Sequence, residues 1–235
     1  MKPVHILLAA ALLCPGVTLA HGGLADISLY DRTGGKRLQV YWHEGRAYVA
    51  GKPGNEYQIS LRNRSREEIL AVVSVDGVNV ITGQSADPSQ SGYVLSPYGR
   101  LDIPGWRKSW SETAAFYFTS LGDSYAARTG RPNDVGVIGA ALFRKRPPVP
   151  AAPIARDPGR AAESAKPAES PLGTGHGRNE TSHAYQVEFE RASSAPAEII
   201  TLYYDSYANL VARGIVRDRF THPRPFPGFV PDPQG

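Results

Sequence analysis

The sequence has almost no cysteine, since Cys14 is the only one among its 235 residues. This scarcity excludes a disulfide framework and a four-cysteine zinc site. Charge is also close to balance: 26 Lys and Arg against 22 Asp and Glu give a net charge of +4. So small an excess gives no reason to expect a nucleic acid or a membrane surface as a partner. After residue 20 no stretch approaches the roughly 20 apolar residues of a transmembrane helix, so no transmembrane segment is expected.

The N-terminus has the pattern of a secretory signal peptide. Lys2 precedes the apolar run 4–13, and Thr18-Leu19-Ala20 places small residues where a signal peptidase would cleave. A lipoprotein signal at Cys14 is the alternative, but Leu13 stands where that signal needs a small residue. We expect residues 1–20 to be removed and the mature chain to be periplasmic or secreted. Its core would then stabilise the fold without disulfides.

Apolar and polar residues alternate with a period of two over much of 36–144. In 57–61, for example, Tyr57, Ile59 and Leu61 alternate with polar residues, as in a strand with one solvated face. The apolar run 69–75 meets Asp76-Gly77, which favours a hairpin turn with positive φ at both positions. Further strands are predicted over 38–42, 47–49, 92–95, 100–103, 114–119 and 135–143. The pattern predicts an all-β fold, an antiparallel β-sandwich that is jelly-roll-like or immunoglobulin-like.

A stretch rich in proline and alanine interrupts this pattern. Seven of the 25 residues in 147–171 are Pro and seven are Ala, so the segment buries too little apolar surface to offset its ordering entropy. Gly173, Gly175 and Gly177 indicate a flexible return to the fold, because no strand precedes them as a phosphate-binding loop requires. The predicted organisation is a signal peptide at 1–20, a main β-sandwich at 21–146, a disordered proline-rich linker at 147–175, C-terminal strands and one short helix at 176–216, and a flexible tail at 217–235.

The segment 176–216 is expected to pack on the main sandwich. Residues 185–189 and 200–204 predict two strands, and Asp205 or Ser206 is placed to cap a short helix that would end at Gly214. About forty residues are too few to sustain a core of their own without a metal or disulfide. We therefore expect the two parts of the chain to share one hydrophobic core.

Five segments resemble a group of exported proteobacterial proteins. They are VSVDGVNV at 73–80, SGYVL at 91–95, GWRKS at 105–109, DSYAARTGRP at 123–132 and VGVIG at 135–139. The likeness covers about 37–144 and, more weakly, 172–216. No activity is assigned to that group. The resemblance therefore implies export and a shared β core, and it supplies no catalytic residues.

Aromatic and arginine residues crowd into one third of the chain and suggest a contact surface. Side chains of this kind on the loops of a sandwich often recognise proteins or sugars. The predicted binding residues, placed in two loops, are Trp106, Arg107, Tyr125, Arg128 and Arg131. The alternative is that part of these rings belongs to the core.

A copper site is the main alternative function. Cleavage after Ala20 would make His21 the mature N-terminus, where its α-amine and imidazole could bind copper together with a second imidazole. The available second ligands are His43, His176, His183 and His222. Of these, His43 and His176 are the main candidates, although none of the four is predicted to lie on a rigid element. No cofactor is expected if this hypothesis fails.

A secreted hydrolase is the third possibility. Gly122-Asp123-Ser124-Tyr125 is similar to the nucleophile segment of GDS-type esterases, and Asp218 with His222 could supply the acid and base. Those enzymes surround the serine with alternating strands and helices, which this sequence lacks. The sequence therefore favours an exported, non-enzymatic binding or envelope-associated module, with an envelope protein or a polysaccharide as the expected partner.

Overall fold

The computed structural model describes residues 20–147 and 172–217. In these residues most of the regular secondary structure is β-strand, and the predicted all-β sandwich is confirmed. The strands are β1 (Ala20–His21), β2 (Ala25–Asp31), β3 (Lys36–Arg37), β4 (Val40–His43), β5 (Arg46–Gly51), β6 (Glu56–Asn63), β7 (Ile69–Val75), β8 (Val78–Asn79), β9 (Tyr93–Leu95), β10 (Arg100–Ile103), β11 (Gly105–Arg107), β12 (Glu112–Thr119), β13 (Val137–Arg144), β14 (Gly173–Thr181) and β15 (Glu198–Ser206). The helices are α1 (Tyr125–Arg128) and α2 (Tyr207–Ala212).

Two sheets face each other across one core. The first contains β1, β2, β3, β6, β10, β11, β12 and β14, and the second contains β4, β5, β7, β8, β9, β13 and β15. Neighbouring strands are antiparallel except for the parallel pair β5–β15. Alternate residues of each strand fill the interior: Ile27 and Leu29 of β2 are fully buried, as are Ile59 and Leu61 of β6. Each such side chain contributes roughly 1.5–3 kcal/mol through burial.

The C-terminal strands are integral members of both sheets. β14 pairs with β12 in the first sheet, while β15 lies between β13 and β5 in the second. The strand β14 begins at Gly173, inside the linker predicted at 147–175. A Cβ on Gly177 would lie 2.6 Å from the carbonyl oxygen of Ala115, and one on Gly175 would overlap the Tyr117 ring. Glycine therefore permits close packing in this strand, whereas its abundance had suggested flexibility.

The strand predicted at 185–189 is absent, because residues 182–190 form no ladder in the described structure. The segment begins beside the β11–β12 connection, where the Ala184 amide donates to the Trp110 carbonyl at 2.7 Å, and near its end Phe189 packs against the apolar cluster that includes Leu70 and Phe143. Arg191 anchors its end: the guanidinium lies 4.1 Å from the centroid of the Phe143 ring and donates to the carbonyl of Pro88 at 2.7 Å. Side-chain packing rather than strand pairing explains the apolar residue at position 189.

The local turn and helix predictions are confirmed. Asp76 and Gly77 have φ values of 52° and 70°, as the β7–β8 turn was expected to require. Ser206 caps α2, because its side chain accepts a hydrogen bond from the Asn209 amide. The helix ends at Ala212, and Gly214, two residues later, has a φ of 70°. Helix α1 was not predicted.

Several predictions lie wholly or mostly outside the described residues. They are the signal peptide at 1–20, most of the linker at 147–175 and the tail at 217–235. Within the part of the chain that is described, no helix has the length and apolar character needed to cross a membrane.

Candidate functional site

Trp106 does not form part of an exposed loop, which corrects the prediction made for it. It lies in β11 and is 4% exposed. Its indole meets the Phe116 ring edge-on at 5.2 Å, and its Nε1 donates to the carbonyl of Gly175 at 3.2 Å. The indole is therefore a core side chain that joins β11 to β14, and a ligand at the surface cannot reach it.

Two of the predicted binding arginines, Arg107 and Arg131, donate hydrogen bonds to other residues of the chain. The guanidinium of Arg107 is half-buried and donates to the carbonyl and, at 3.1 Å, to the hydroxyl of Ser182. Arg131 donates from Nη1 to the carbonyl of Gly83 at 3.1 Å. These contacts hold loops together. Arg128 is exposed, at the end of α1.

Tyr125 joins the core to the rim of the sandwich. Its half-exposed ring lies 4.8 Å from the Trp106 ring on one side and 5.6 Å from the exposed His176 ring on the other. Partial burial is the main effect that lowers the pKa of His176, and the charges of Lys108 and Arg128 lower it further. Lys108 and Arg128 therefore form a small cationic patch near His176. Of the five predicted binding residues, Tyr125 and Arg128 lie at this patch.

The candidate copper ligands are on different elements. His43 is the last residue of β4 in the second sheet, whereas His176 is on β14 in the first. The side chain of His21 lies outside the described part of the molecule. Among residues 20–147 and 172–217, no group of three or more His, Cys, Asp or Glu side chains is arranged to hold a metal ion. Copper binding through His21 stays a prediction.

Ser124 is occupied by a structural role. Its side chain is fully buried, donates to the carbonyl of Leu121 at 2.7 Å and accepts from the Ala127 amide at 3.1 Å. These bonds cap α1. The proposed partners Asp218 and His222 lie outside the described residues. A buried capping hydroxyl is poorly placed to attack an ester.

Asp76 is the centre of a buried polar network that sequence reasoning missed. Its Oδ1 accepts from the Tyr204 hydroxyl at 2.6 Å and from the Gly136 amide at 2.9 Å, and its Oδ2 accepts from the Thr174 amide at 2.7 Å. The Thr174 hydroxyl also bonds the hydroxyls of Tyr204 and Tyr57, at 2.7 Å and 2.6 Å. The network connects β6, β14 and β15 to the β7–β8 turn.

Burial dominates the protonation of this network. It raises the pKa of Asp76 to about 6, although the hydrogen bonds from Tyr204, Thr174 and Gly136 act in the opposite direction. Burial, with the nearby Asp76 charge, also raises the pKa of Tyr57 and Tyr204 well above the usual value. All the members are buried, so the network links strands inside the sandwich and is not accessible to a substrate.

An open concavity lined by charged and hydroxyl-bearing side chains lies on the outer face of the first sheet. It has a volume of about 260 Å³. We call it the arginine groove, and it is lined by Asp26, Ser28, Arg37, Ser60, Leu61, Arg62, Tyr98 and Arg100.

Differences in side-chain length between neighbouring strands create the groove. Ser28 of β2 and Ser60 of β6 are direct cross-strand partners and form a low floor. Two residues further along the same strands, Asp26 and Arg62 are partners, and Arg62 is also opposite Arg100 of β10. Residues two apart share a face of a strand. Long side chains therefore surround a pair of short hydroxyl-bearing ones.

The groove carries excess positive charge. Arg100 donates from Nε to Oδ1 of Asp102 at 3.0 Å and from Nη2 to the Ser60 hydroxyl at 3.1 Å. Arg37 and Arg62 are exposed, and within the described residues neither side chain makes a hydrogen bond or ion pair. Like charges directly opposite each other on paired strands, as in Arg62 and Arg100, are destabilising. An anion bound between them would relieve that repulsion.

The sequence contains only part of the signal for this groove. The alternation in 25–31 and 57–62 shows which side chains face outward, but it does not show that β2 and β6 are neighbours. The pairing of Arg62 with Arg100 joins strands that are 38 residues apart in the sequence. The loop that carries Tyr98 gave no indication of its position beside them.

Comparison of the chain with protein-family models, with curated proteins and with solved structures gives no match. The function is therefore inferred from the geometry of the groove.

Proposed function

We propose that this chain is an exported, non-enzymatic β-sandwich module that binds an anionic ligand in the arginine groove. The observation that carries the proposal is the pair of exposed guanidiniums of Arg37 and Arg62, which have no partner among residues 20–147 and 172–217 and line the ligand-sized concavity. Guanidinium groups form charge-assisted, often bidentate hydrogen bonds with carboxylate, sulfate and phosphate groups. The apolar run at 4–13 supports the exported part of the proposal.

The structural roles of the other reactive side chains support a binding role over catalysis. The Ser124 hydroxyl caps a helix, and Asp76 is enclosed by hydrogen-bond donors. In the groove, by contrast, exposed guanidinium groups lie on hydrogen-bonded strands, Arg37 on β3 and Arg62 on β6. Rigid elements position recognition groups more accurately than loops do.

The groove is a better candidate than the cationic patch at Tyr125 and Arg128. The patch has exposed cations, but Arg107 and Arg131 on its borders are committed to Ser182 and Gly83. The groove combines guanidiniums that have no partner in the described part of the chain with a concave floor, and concave sites remove more of a ligand from water.

Binding of dextran sulfate, with uncharged dextran as the neutral probe, tests the proposal. We expect the purified mature chain to bind dextran sulfate and not dextran by isothermal titration calorimetry. The double substitution Arg37→Ala with Arg62→Ala should weaken binding at least tenfold, because it removes both free cations. Affinity should also fall with added salt.

The matched control replaces two exposed arginines outside the groove, Arg128→Ala with Arg144→Ala. It changes net charge by the same amount and should weaken binding less than threefold. Equal losses in the two double variants would show that dextran sulfate responds only to net charge, and would contradict the proposal.

A further inference from the structure

The geometry points to an acidic saccharide, a sugar unit that carries a carboxylate, as the ligand of the arginine groove. This inference rests on the proposed anion-binding function and names the ligand class. It follows from three features of the groove that a simple inorganic anion would not use. They are the carboxylate of Asp26, the hydroxyls of Ser28 and Ser60 on the floor, and the exposed ring of Tyr98.

Asp26 gives the groove a mixed charge pattern. Asp26 lines the same concavity as Arg37, Arg62 and Arg100. Its Oδ1 also forms an ion pair with Nη1 of Arg64 at 3.5 Å. A compact anion such as acetate has no hydroxyl that could donate to this carboxylate. A sugar acid, however, presents its carboxylate and its hydroxyls at different positions. Its carboxylate can bind the guanidiniums while a hydroxyl donates to Asp26, which accepts hydrogen bonds but cannot donate them when ionised.

The floor of the groove adds further polar groups. Ser28 and Ser60 are adjacent across β2 and β6, and each hydroxyl can donate or accept. Ser60 donates to Asp102 at 2.5 Å and accepts from Arg100, so its orientation is fixed by its neighbours. A fixed hydroxyl beside a fixed cation suits a ligand with a defined pattern of oxygen atoms.

Tyr98 supplies an aromatic wall. Its side chain is 56% exposed although it lines the groove, and its φ of 55° lies in the left-handed region. This conformation costs an L-residue with a Cβ free energy that glycine would not lose. A tyrosine ring with one exposed face can pack against the apolar face of a sugar and keep its hydroxyl in water.

The size of the groove agrees with a small sugar unit. Its volume of about 260 Å³ is slightly below the range of about 300–1,000 Å³ typical of pockets for drug-sized ligands. The chemical class that fits is a uronic acid, either free or as one unit of an acidic polysaccharide.

Calorimetric titration with four probes tests the inference: a galacturonic acid trisaccharide, the neutral galactose trisaccharide, inorganic phosphate and acetate. We expect the acidic trisaccharide to bind at least tenfold more tightly than the other three. Tyr98→Ala and Arg62→Ala should each weaken its binding at least tenfold. Tyr98→Phe should retain it, because the ring remains.

The outcomes separate the inference from the function on which it rests. If phosphate binds as tightly as the acidic trisaccharide, or if Tyr98→Ala leaves trisaccharide binding unchanged, the saccharide inference is wrong while anion binding stands. If neither dextran sulfate nor any of the charged probes binds, both proposals fail. Circular dichroism of each variant checks that a lost affinity does not result from a lost fold.

Discussion

At the scale of single residues, Asp76 shows how one side chain can serve two structural purposes. Its backbone adopts the positive φ of the β7–β8 turn, and its carboxylate accepts hydrogen bonds from β14, from β15 and from Gly136 in the connection before β13. A buried carboxylate is tolerated when its oxygens are fully hydrogen-bonded. The sequence predicted the turn from Asp76-Gly77, but not the burial of the side chain.

Replacing Asp76 by Asn should destabilise the protein. The amide would place an NH₂ donor where an oxygen of Asp76 now accepts a hydrogen bond, so one buried donor would lose its partner. We expect Asp76→Asn to lower the free energy of unfolding by about 1–3 kcal/mol, measured by chemical denaturation at pH 7. Asp123→Asn, at an exposed turn, is the control and should change it by less than about 0.5 kcal/mol. Equal effects would contradict a structural role for the network.

The same residue predicts a dependence of stability on pH. Because burial raises the folded pKa of Asp76 from 3.8 to about 6, the native state binds more protons than the unfolded state between these values. The Asp76 contribution to the free energy of unfolding is therefore largest below about pH 4 and falls as pH rises to 6, by up to about 3 kcal/mol. The difference in stability between wild type and Asp76→Asn should shrink over this window. A constant or widening difference would contradict the assignment.

At the scale of elements, β14 shows why a segment whose composition predicts flexible chain forms a strand. Its three glycines suggested flexible chain, but they let the strand lie close to β12 and its Tyr117 ring. The partner that makes a glycine necessary lies about 60 residues away in the sequence. Strands such as β7, β10 and β12 were predicted well because their alternation is a local property. The arginine groove depends on strand pairing, so only its individual faces could be predicted.

A methyl group on β14 should therefore be costly. Gly177→Ala would bring a Cβ to 2.6 Å from the backbone oxygen of Ala115 unless the strands separate. We expect a loss of about 1–3 kcal/mol in the free energy of unfolding. Gly122→Ala is the matched control, because a Cβ there meets nothing within 4 Å. A Gly177→Ala protein as stable as the control would show that the strand is not held as described.

At the scale of the whole molecule, the two described ranges form one folding unit. The parallel partner of β5 and the antiparallel partner of β13 are both β15, so the second sheet is divided without the C-terminal range. Ion pairs add to the connection in the first sheet, where Nη1 and Nη2 of Arg32 donate to the two carboxylate oxygens of Glu180, each at 2.8 Å. The hydrophobic core contains residues of both ranges, with Leu172 and Leu202 packed in the same cluster as Ile59.

Separate chains test this unity. Residues 20–147 and 172–217, produced as two polypeptides in the same cell, should copurify and give a β-type circular dichroism spectrum. Residues 20–147 alone should aggregate, because β5 and β13 would expose unpaired edges. The interpretation fails if 20–147 is monomeric and folds cooperatively by itself.

The central claim is that a ligand binds in the arginine groove, and mapping amide chemical shifts tests it most directly. Titration of isotope-labelled protein with the galacturonic acid trisaccharide should shift residues of β2, β6 and β10 and the Tyr98 amide. The amides of Tyr125, Arg128 and His176 should stay unchanged. Shifts confined to that second group, or spread evenly over all exposed arginines, would contradict the account.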